Sequence, residues 1–527
     1  MMTELYLAQE LEASRKPLRP GKPGVAPFWN RYAKRFVYAP AFELPEVPGA
    51  SAYRFRVAPA EGPMLAFTAD VPWAPLSPVW SDVPHGLVRL TVEGLEAPGG
   101  ASLGIAGELT FYRAPAFGGP YREPPPWTYR EAGVRGLRAL FEHRRFQCWL
   151  TENKPDPEMF LNCFAAKEMG ASIRAMVAFA RLTASESESR DAIQIARNIA
   201  DFLIRHSEPP ERPYPYFPPV YWINPENRIN DWHFEVAREN QNQFMLSEPV
   251  RATFGYLDLY DATQDAAYFD AALRVAQTYL KTQRPDGTWP LVVDRRTGEE
   301  LKSKPVIPTW VLFFFERLAK QYGRSEFAPA AERVAAWLLA HPAKEFRWDS
   351  QFEDVKIKEP YRKMAYEQAA DTAYYLLTNG GDDAEKVGLA EELLRFVEDQ
   401  FIVWEKPTEG WKTLEFPGGP TKYSQYAVDT WLAPAVIEQF GFVLVARATA
   451  VVMRVYAKAY EVTGKDVYLA KARSLANTLV ATQQYHGGGE IPSFPMTSEQ
   501  IVWTNNSVYT ALFLLEFGEA TERAAER

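Results

Sequence analysis

Tyr268-Phe-Asp-Ala-Ala-Leu-Arg-Val-Ala-Gln-Thr-Tyr-Leu-Lys-Thr-Gln283 marks a repeating architecture, because the same pattern returns as Tyr468-Leu-Ala-Lys-Ala-Arg-Ser-Leu-Ala-Asn-Thr-Leu-Val-Ala-Thr-Gln483. Alanines and large apolar side chains recur at three- and four-residue spacing, which marks one face of an amphipathic helix. A glycine-containing turn follows each copy, at Asp286-Gly287 and at Gly487–Gly489. Weaker copies cover 190–206, 327–341 and 383–400. Ahead of these five segments lie apolar helices expected at 158–183, 248–262, 306–322, 365–378 and about 440–462. A last one is expected at 504–517, and a helix at 131–147 is placed to pair with it and close a ring. A supersecondary unit repeated at this scale buries its apolar face only by stacking on its neighbours. The expectation is a mainly α chain built as an (α/α)6 toroid of six helical hairpins.

The connections are unequal in length. Turns inside each hairpin are short: Ala184–Glu188, Thr263–Asp265, Gly323–Ser325, Asn379–Asp382 and Thr463–Lys465. The returns between hairpins are long, at 207–247, 285–305, 342–364, 401–430 and 485–503. Long connections inside a compact domain are uncommon unless functional. In a closed ring all of them project from one end, where the first helices begin and helix N-termini favour anionic groups. The functional site is expected on that face.

Residues 42–113 change period. Tyr53-Arg-Phe55-Arg-Val57 and Leu87-Val-Arg-Leu-Thr-Val92 alternate, and Glu108-Leu-Thr-Phe-Tyr112 is β-rich, with Gly, Pro and Asp between them. The expected organisation is a helix and extended arm over 1–40, a β-sandwich over 41–125 and the toroid over 126–527. The β stretch resembles a fibronectin-type-III-like sandwich through SAYRFRV, APLSPVW and HGLVRLTVEGL. Residues 130–518 resemble the six-hairpin superfamily through the repeated unit and the terminal WTNNSVYTALFLLEF helix. That superfamily contains polysaccharide lyases, unsaturated glucuronyl hydrolases, glycosidases and sugar epimerases. The resemblance implies a carbohydrate-active enzyme and leaves the reaction open.

Composition excludes several alternatives. The 527 residues carry a formal net charge of −9 without a Lys/Arg run, which argues against a nucleic-acid or anionic-membrane partner. No apolar run reaches the length of a membrane span, and the two cysteines, Cys148 and Cys163, form neither a metal-ligand spacing nor a disulfide framework. The start, MMTELYLAQELEASRK, has no basic-then-apolar signal segment. A cytoplasmic protein is expected, although a removed secretion signal would leave the same start. Gly100-Ala-Ser102-Leu-Gly104 matches a nucleophile elbow but lies between two expected strands, without the helix that motif needs. No Walker loop, dinucleotide fingerprint or metal-binding histidine pair occurs, so no cofactor or metal is expected.

Candidate site residues gather in the long returns. His206 and His341 end helices, His85 sits in a turn and His143 lies among charged neighbours, all structural positions. His486 stands beside three glycines on the long-loop face. His233 is the strongest candidate, within Asn230-Asp231-Trp232-His233-Phe234-Glu235 and ahead of Glu239, Asn240 and Gln241. Further clusters are Tyr361-Arg362-Lys363-Met-Ala-Tyr366-Glu367, then Lys422-Tyr423 with Asp429, then Trp503-Thr-Asn505-Asn506, with Lys302 before the helix at 306. Trp and Tyr are abundant (15 and 26), and Tyr216, Trp222, Trp232, Trp289, Tyr361 and Trp503 are candidate sugar-stacking walls. Cationic and amide clusters on an acidic protein suggest an anionic ligand, and a uronate carboxylate fits.

Those residue types suit β-elimination, in which a cation or amide neutralises the uronate and acidifies its α-proton. His233 and Tyr366 would serve as base and acid in either order. Arg362 and Asn240 would hold the carboxylate, assisted by Lys422 and Tyr423. The resemblance implies such a set, since toroid lyases characteristically use Asn, His, Arg and Tyr. A glycosidase needs two carboxyls instead, with Asp231, Glu235, Glu239, Glu367, Asp429 and Glu490 as candidates. An epimerase, or a binding toroid using only the aromatics, is the remaining alternative.

Overall fold

A computed structural model describes residues 2–19, 28–119, 124–227, 231–353, 359–407, 428–498 and 501–525. The repeated unit forms the outer helices: α2 (Tyr129–Glu142), α5 (Glu186–Arg205), α8 (Ala266–Thr282), α10 (Ala328–Leu338), α12 (Ala384–Phe401) and α14 (Asp466–Tyr485). Their more apolar partners are the inner helices: α4 (Ala165–Leu182), α7 (Pro249–Thr263), α9 (Thr309–Gln321), α11 (Glu367–Gly380), α13 (Ala446–Thr463) and α15 (Thr504–Ala525). Outer helices that bury one face and inner helices that are buried over most of their surface are what a double ring requires. Each inner helix packs on the next, from α4 through α7, α9, α11 and α13 to α15, and α15 returns to α4. Because α2 packs on α15, the chain's first toroid helix completes its last hairpin, so the expected (α/α)6 toroid is closed.

Short hairpin turns are set by caps. Ser185, Asp265 and Asp383 accept the first free N–H groups of α5, α8 and α12. Two helix boundaries differ from expectation. The helix expected at 131–147 breaks at His143, whose extended backbone ends α2 and whose side chain caps α3 (Arg144–Thr151). The helix expected from 158 begins at Ala165, after a 3-10 turn over Phe160–Cys163.

Ahead of the ring, α1 (Met2–Ser14) leads into a sheet of β1 (Arg35–Phe36), β2 (Ala52–Pro59), β3 (Leu65–Ala69), β4 (Gly86–Leu95) and β5 (Ser102–Arg113). Its order is β1-β5-β4-β2-β3, antiparallel except for β1, which runs parallel to β5. Among the described residues these strands form one sheet, not the two of a fibronectin-like sandwich. Its buried face, including Phe55, Val57, Leu90 and Phe111, is covered by Phe36 and Phe42 from the arm and the segment after it, and by Trp80 from the connection between β3 and β4. Ser102 of the G-x-S-x-G motif opens β5 in the β4–β5 hairpin.

The arm docks on α12. Asp399 Oδ1 accepts the N–H groups of Val37 (2.6 Å) and Tyr38 (2.8 Å), and the Arg35 guanidinium donates to the carbonyls of Glu398, Asp399 and Ile402. Two long returns are themselves structured. One contains α6 (Trp232–Asn240) and β6 (Gln243–Met245), which pairs with the hairpin of β7 (Pro290–Asp294) and β8 (Glu300–Pro305). A further pair, β9 (Ile402–Val403) and β10 (Ala435–Val436), lies on the same side.

Candidate functional site

The inner helices begin with polar residues at the long-loop end of the ring. Lys167 and Glu168 lie in the first turn of α4, Glu248 precedes Pro249 of α7 and Arg251 follows it, and Arg447 and Asn505 open α13 and α15. Because these helices start at the long-loop end of the ring, their first turns line one pocket there. The return loops complete its wall with Trp232, His233, Phe352, Glu353, Phe442 and Trp503.

Burial and charge divide the roles. Glu168 is 2% exposed and its Oε2 accepts the Asn505 N–H at 2.9 Å. Burial pushes its carboxyl up to about 7, against the pull of Lys167 and of that N–H. Glu353 forms an ion pair with Lys167. Burial also raises Glu248, although Arg251 and Lys167 oppose the shift. Below them Glu367 is 1% exposed and is gripped by Arg251 at 3.0 Å and by Arg447. Burial alone would raise Glu367; the two guanidinium groups outweigh it and hold the carboxylate at about 2. Arg251 in turn lies over the Trp310 ring, 3.8 Å from its centroid.

His233 stands at the rim. Asp231 caps α6 by accepting the His233 N–H at 2.8 Å, and its same oxygen lies 2.5 Å from His233 Nδ1. The imidazole packs edge-on to Trp503 and Phe164, and Trp503 lies roughly parallel to Phe442. Trp232, 44% exposed, adds an open aromatic face.

Of the residues expected at the site, the structure therefore brings together Trp232, His233, Trp503 and Asn505, with Asp231 behind His233. The expected elimination quartet does not assemble. Tyr366 is fully buried, Arg362 lies in a turn with Glu359, and the Asn240 amide donates to Val236 O at 2.7 Å within α6. None of these three lines the pocket. Trp289 and Tyr361 are core residues, donating to Tyr279 O and Glu345 O. Tyr216 lies under Arg274, and Trp222 packs on Phe202 of α5. Lys302 lies on exposed β8, and Glu235, Glu239 and Asp429 are exposed. Glu490 pairs with Arg145, and Glu367 is committed to its two arginines, so neither is the open carboxylate expected. His486 Nε2 lies 3.1 Å from Met496 O, away from the pocket. Lys422 and Tyr423 lie outside the described residues.

The expected cationic character is also corrected. Lys167, Arg251 and Arg447 face Glu168, Glu248, Glu353 and Glu438 across the pocket, so its charges are nearly balanced. Sequence reading missed most of these groups. Their signal is a charged residue within the first turn of an apolar helix, where burial without a partner would be costly. Among the described residues, no group of three His, Cys, Asp or Glu side chains is arranged to hold a metal, and no helix is long and apolar enough to cross a membrane.

No protein-family model matches the chain, and no curated relative matches it. Solved structures resemble it at low identity. Cellobiose 2-epimerase from Spirochaeta thermophila is 13% identical over 75% of this chain and 98% of its own, with a TM-score of 0.45. A family 76 glycoside hydrolase from a bovine Bacteroides thetaiotaomicron strain is 11% identical over 89% and 93%, with a TM-score of 0.44. Unsaturated glucuronyl hydrolase from Streptococcus agalactiae is 9% identical over 75% and 94%, with a TM-score of 0.46.

Proposed function

We propose that the long-loop pocket is the active site of a carbohydrate-active enzyme that hydrolyses a glycosidic bond, with Glu168 as general acid. The observation that carries this reading is a buried carboxyl pushed up to about 7 in a pocket that other carboxyl groups share. Glycoside hydrolysis needs one carboxyl kept protonated to supply the leaving oxygen and a second to activate water or attack the sugar. Glu353, on the loop wall beside Lys167, takes the second role. Trp232, Trp503, Phe352 and Phe442 supply ring faces for the C–H face of a pyranose. Balanced charge in the lining favours a neutral sugar unit over the uronate that the sequence suggested.

The test is a time course on neutral and uronate oligosaccharides, following new reducing ends and the ultraviolet absorbance of unsaturated products. Reducing ends from a neutral substrate, abolished in Glu168→Gln, support the reading. Absorbance rising on uronates, with Glu168→Gln active, overturns it in favour of elimination.

A second reading rests on the Asp231–His233 pair. A carboxylate that orients an imidazole equips it to abstract a proton, the opening step of both epimerisation and elimination. That reading requires a sugar isomer or an unsaturated product, lost in His233→Ala and retained in Glu168→Gln.

A further inference from the structure

The bore of the ring has a second opening at the tight-turn end, and more room lies there. The cavity between the inner helices runs from Trp310 and Arg447 near their starts to Lys320 and Thr378 toward their C-terminal ends, and has a volume of about 530 Å³, against about 60 Å³ at the long-loop pocket. All six inner helices contribute to its wall. The Glu367–Arg251–Arg447 cluster separates the two, and Arg447 lines both. We propose that this cavity is a second ligand site, distinct from the long-loop pocket, which takes an uncharged saccharide.

Three features support that ligand class. First, the cavity's walls are aromatic: Phe254, Trp310, Phe313, Tyr374, Tyr509 and Phe513 present rings toward one space. Rings around a concave site pack well on the C–H faces of a sugar. Second, the cations are matched. Arg174 pairs with Asp258 at 2.8 Å, Arg317 with Asp258 at 2.7 Å and Asp261 at 3.0 Å, Lys320 with Glu316 at 3.0 Å, and Arg454 with Glu516 at 3.0 Å. Arg447 is held by Glu367. A ligand bearing net charge would meet no surplus of the opposite sign. Third, a hydrogen-bonding group is left over. Asp371 lines the cavity and is 8% exposed, and its Oδ2, itself buried, has no hydrogen-bond partner among the described residues. Burial, reinforced by Glu367, pushes its carboxyl up to about 7. In its protonated form such a group both donates and accepts, which matches a hydroxyl better than an ion.

Access is from solvent at the C-terminal end of α11, where Thr378 is exposed on the rim. Thr378→Trp is therefore a plug that disturbs no buried contact. The experiment is equilibrium titration of the full chain with cellobiose, maltose and mannobiose, in the Glu168→Gln background so that nothing is turned over. The expected result is saturable binding of at least one disaccharide, weakened about tenfold or more by Thr378→Trp and unchanged by Trp503→Ala. Phe313→Ala, on the cavity wall, should weaken the same binding. Hydrolysis, assayed separately with Glu168 intact, should be unaffected by Thr378→Trp. Absence of saturable binding up to ~10 mM, or binding indifferent to Thr378→Trp and lost in Trp503→Ala, overturns the proposal. Neither result bears on the Glu168 assignment, which the loss of hydrolysis in Glu168→Gln tests alone.

Discussion

A carboxyl taken out of water at the start of an apolar helix holds its proton more tightly, and Glu168 shows both uses of that effect. As a general acid it must be protonated, so activity should fall as pH rises through about 7. Glu168→Gln should lower kcat by roughly 10²–10⁴-fold while leaving the fold intact, checked by circular dichroism beside the kinetics. The sign of the stability effect follows from the same shift. Between 4.5 and about 7 the folded chain binds a proton that the unfolded chain has released, so stability falls with rising pH and is flat above that window. Asp371 behaves likewise from 3.8 to about 7, with burial and the neighbouring Glu367 raising it and Arg251, Arg447 and Arg454 opposing. Asp371→Asn should therefore be more stabilising at pH 8 than at pH 5, by a difference on the order of 1–3 kcal/mol in urea unfolding. An equal effect at both values would show that Asp371 is ionised throughout. Asp231, Trp232, His233, Trp503 and Asn505 were legible in the sequence because they stand in polar runs between apolar segments. Lys167, Glu168, Glu248, Arg251 and Arg447 were not, because each is embedded in a helix that reads as core. Tyr361, Tyr366 and Trp289 misled in the opposite sense: aromatics beside a loop close the core as readily as they face a ligand.

At the level of elements, a repeated face determines what packs on what, and small residues determine how closely. Gly170 of α4 and Gly255 of α7 meet at the crossing of their helices. A Cβ added to Gly170 would stand 2.7 Å from Ala252 Cα, and one added to Gly255 would stand 2.8 Å from Gly170 O. Both obstacles are backbone, so neither helix can yield alone. Gly170→Ala should cost about 1–3 kcal/mol, read from urea midpoints, and a loss below a few tenths would mean that the helices slide without strain. The hairpin turns offer a comparison inside one molecule. Gly464 ends α13 at φ 66°, and Gln264 ends α7 at φ 57°, the same left-handed cap without the residue best suited to it. Gln264→Gly should stabilise by about 0.5–1 kcal/mol, and Gly464→Gln should cost a similar amount. These hairpins were legible because the Y-L-x-x-A-type unit fixes a helix face over many residues. Smaller features were not. The His143 break depends on one side chain capping the next helix, and the parallel pairing of two-residue β1 with β5 leaves no periodicity to read.

For the whole molecule the question is what fastens the N-terminal arm and sheet to a ring that already closes on itself. One buried cluster gathers elements from both. Lys471 of α14 donates to Glu10 of α1 and to Glu398 of α12, each at 2.7 Å. Glu398 also accepts from Tyr38 of the arm at 3.0 Å, from Tyr456 of α13 at 3.2 Å and, through its other oxygen, from Trp404 at 2.9 Å. The ammonium is the only cation in direct ion-pair contact with either carboxyl among the described residues. Replacing it by the similarly shaped Met leaves two buried carboxyls unmatched, and breaking a buried pair in this way typically costs about 3–5 kcal/mol. The pH dependence separates charge from packing. Burial already raises Glu10 against the pull of Lys471, so without the ammonium Glu10 should take up a proton more readily. Protonation removes the uncompensated charge, so the destabilisation of Lys471→Met should be large at pH 8 and should shrink toward pH 5. Urea unfolding at the two values measures it, and protease cleavage of the arm near α1 reports whether the arm detaches before the ring unfolds. An equal loss at both pH values would assign the role of Lys471 to the packing of its stem against Phe117, Trp404 and Tyr456. Cleavage of the arm with the ring's own transition unchanged would show that the cluster fastens two parts which fold separately.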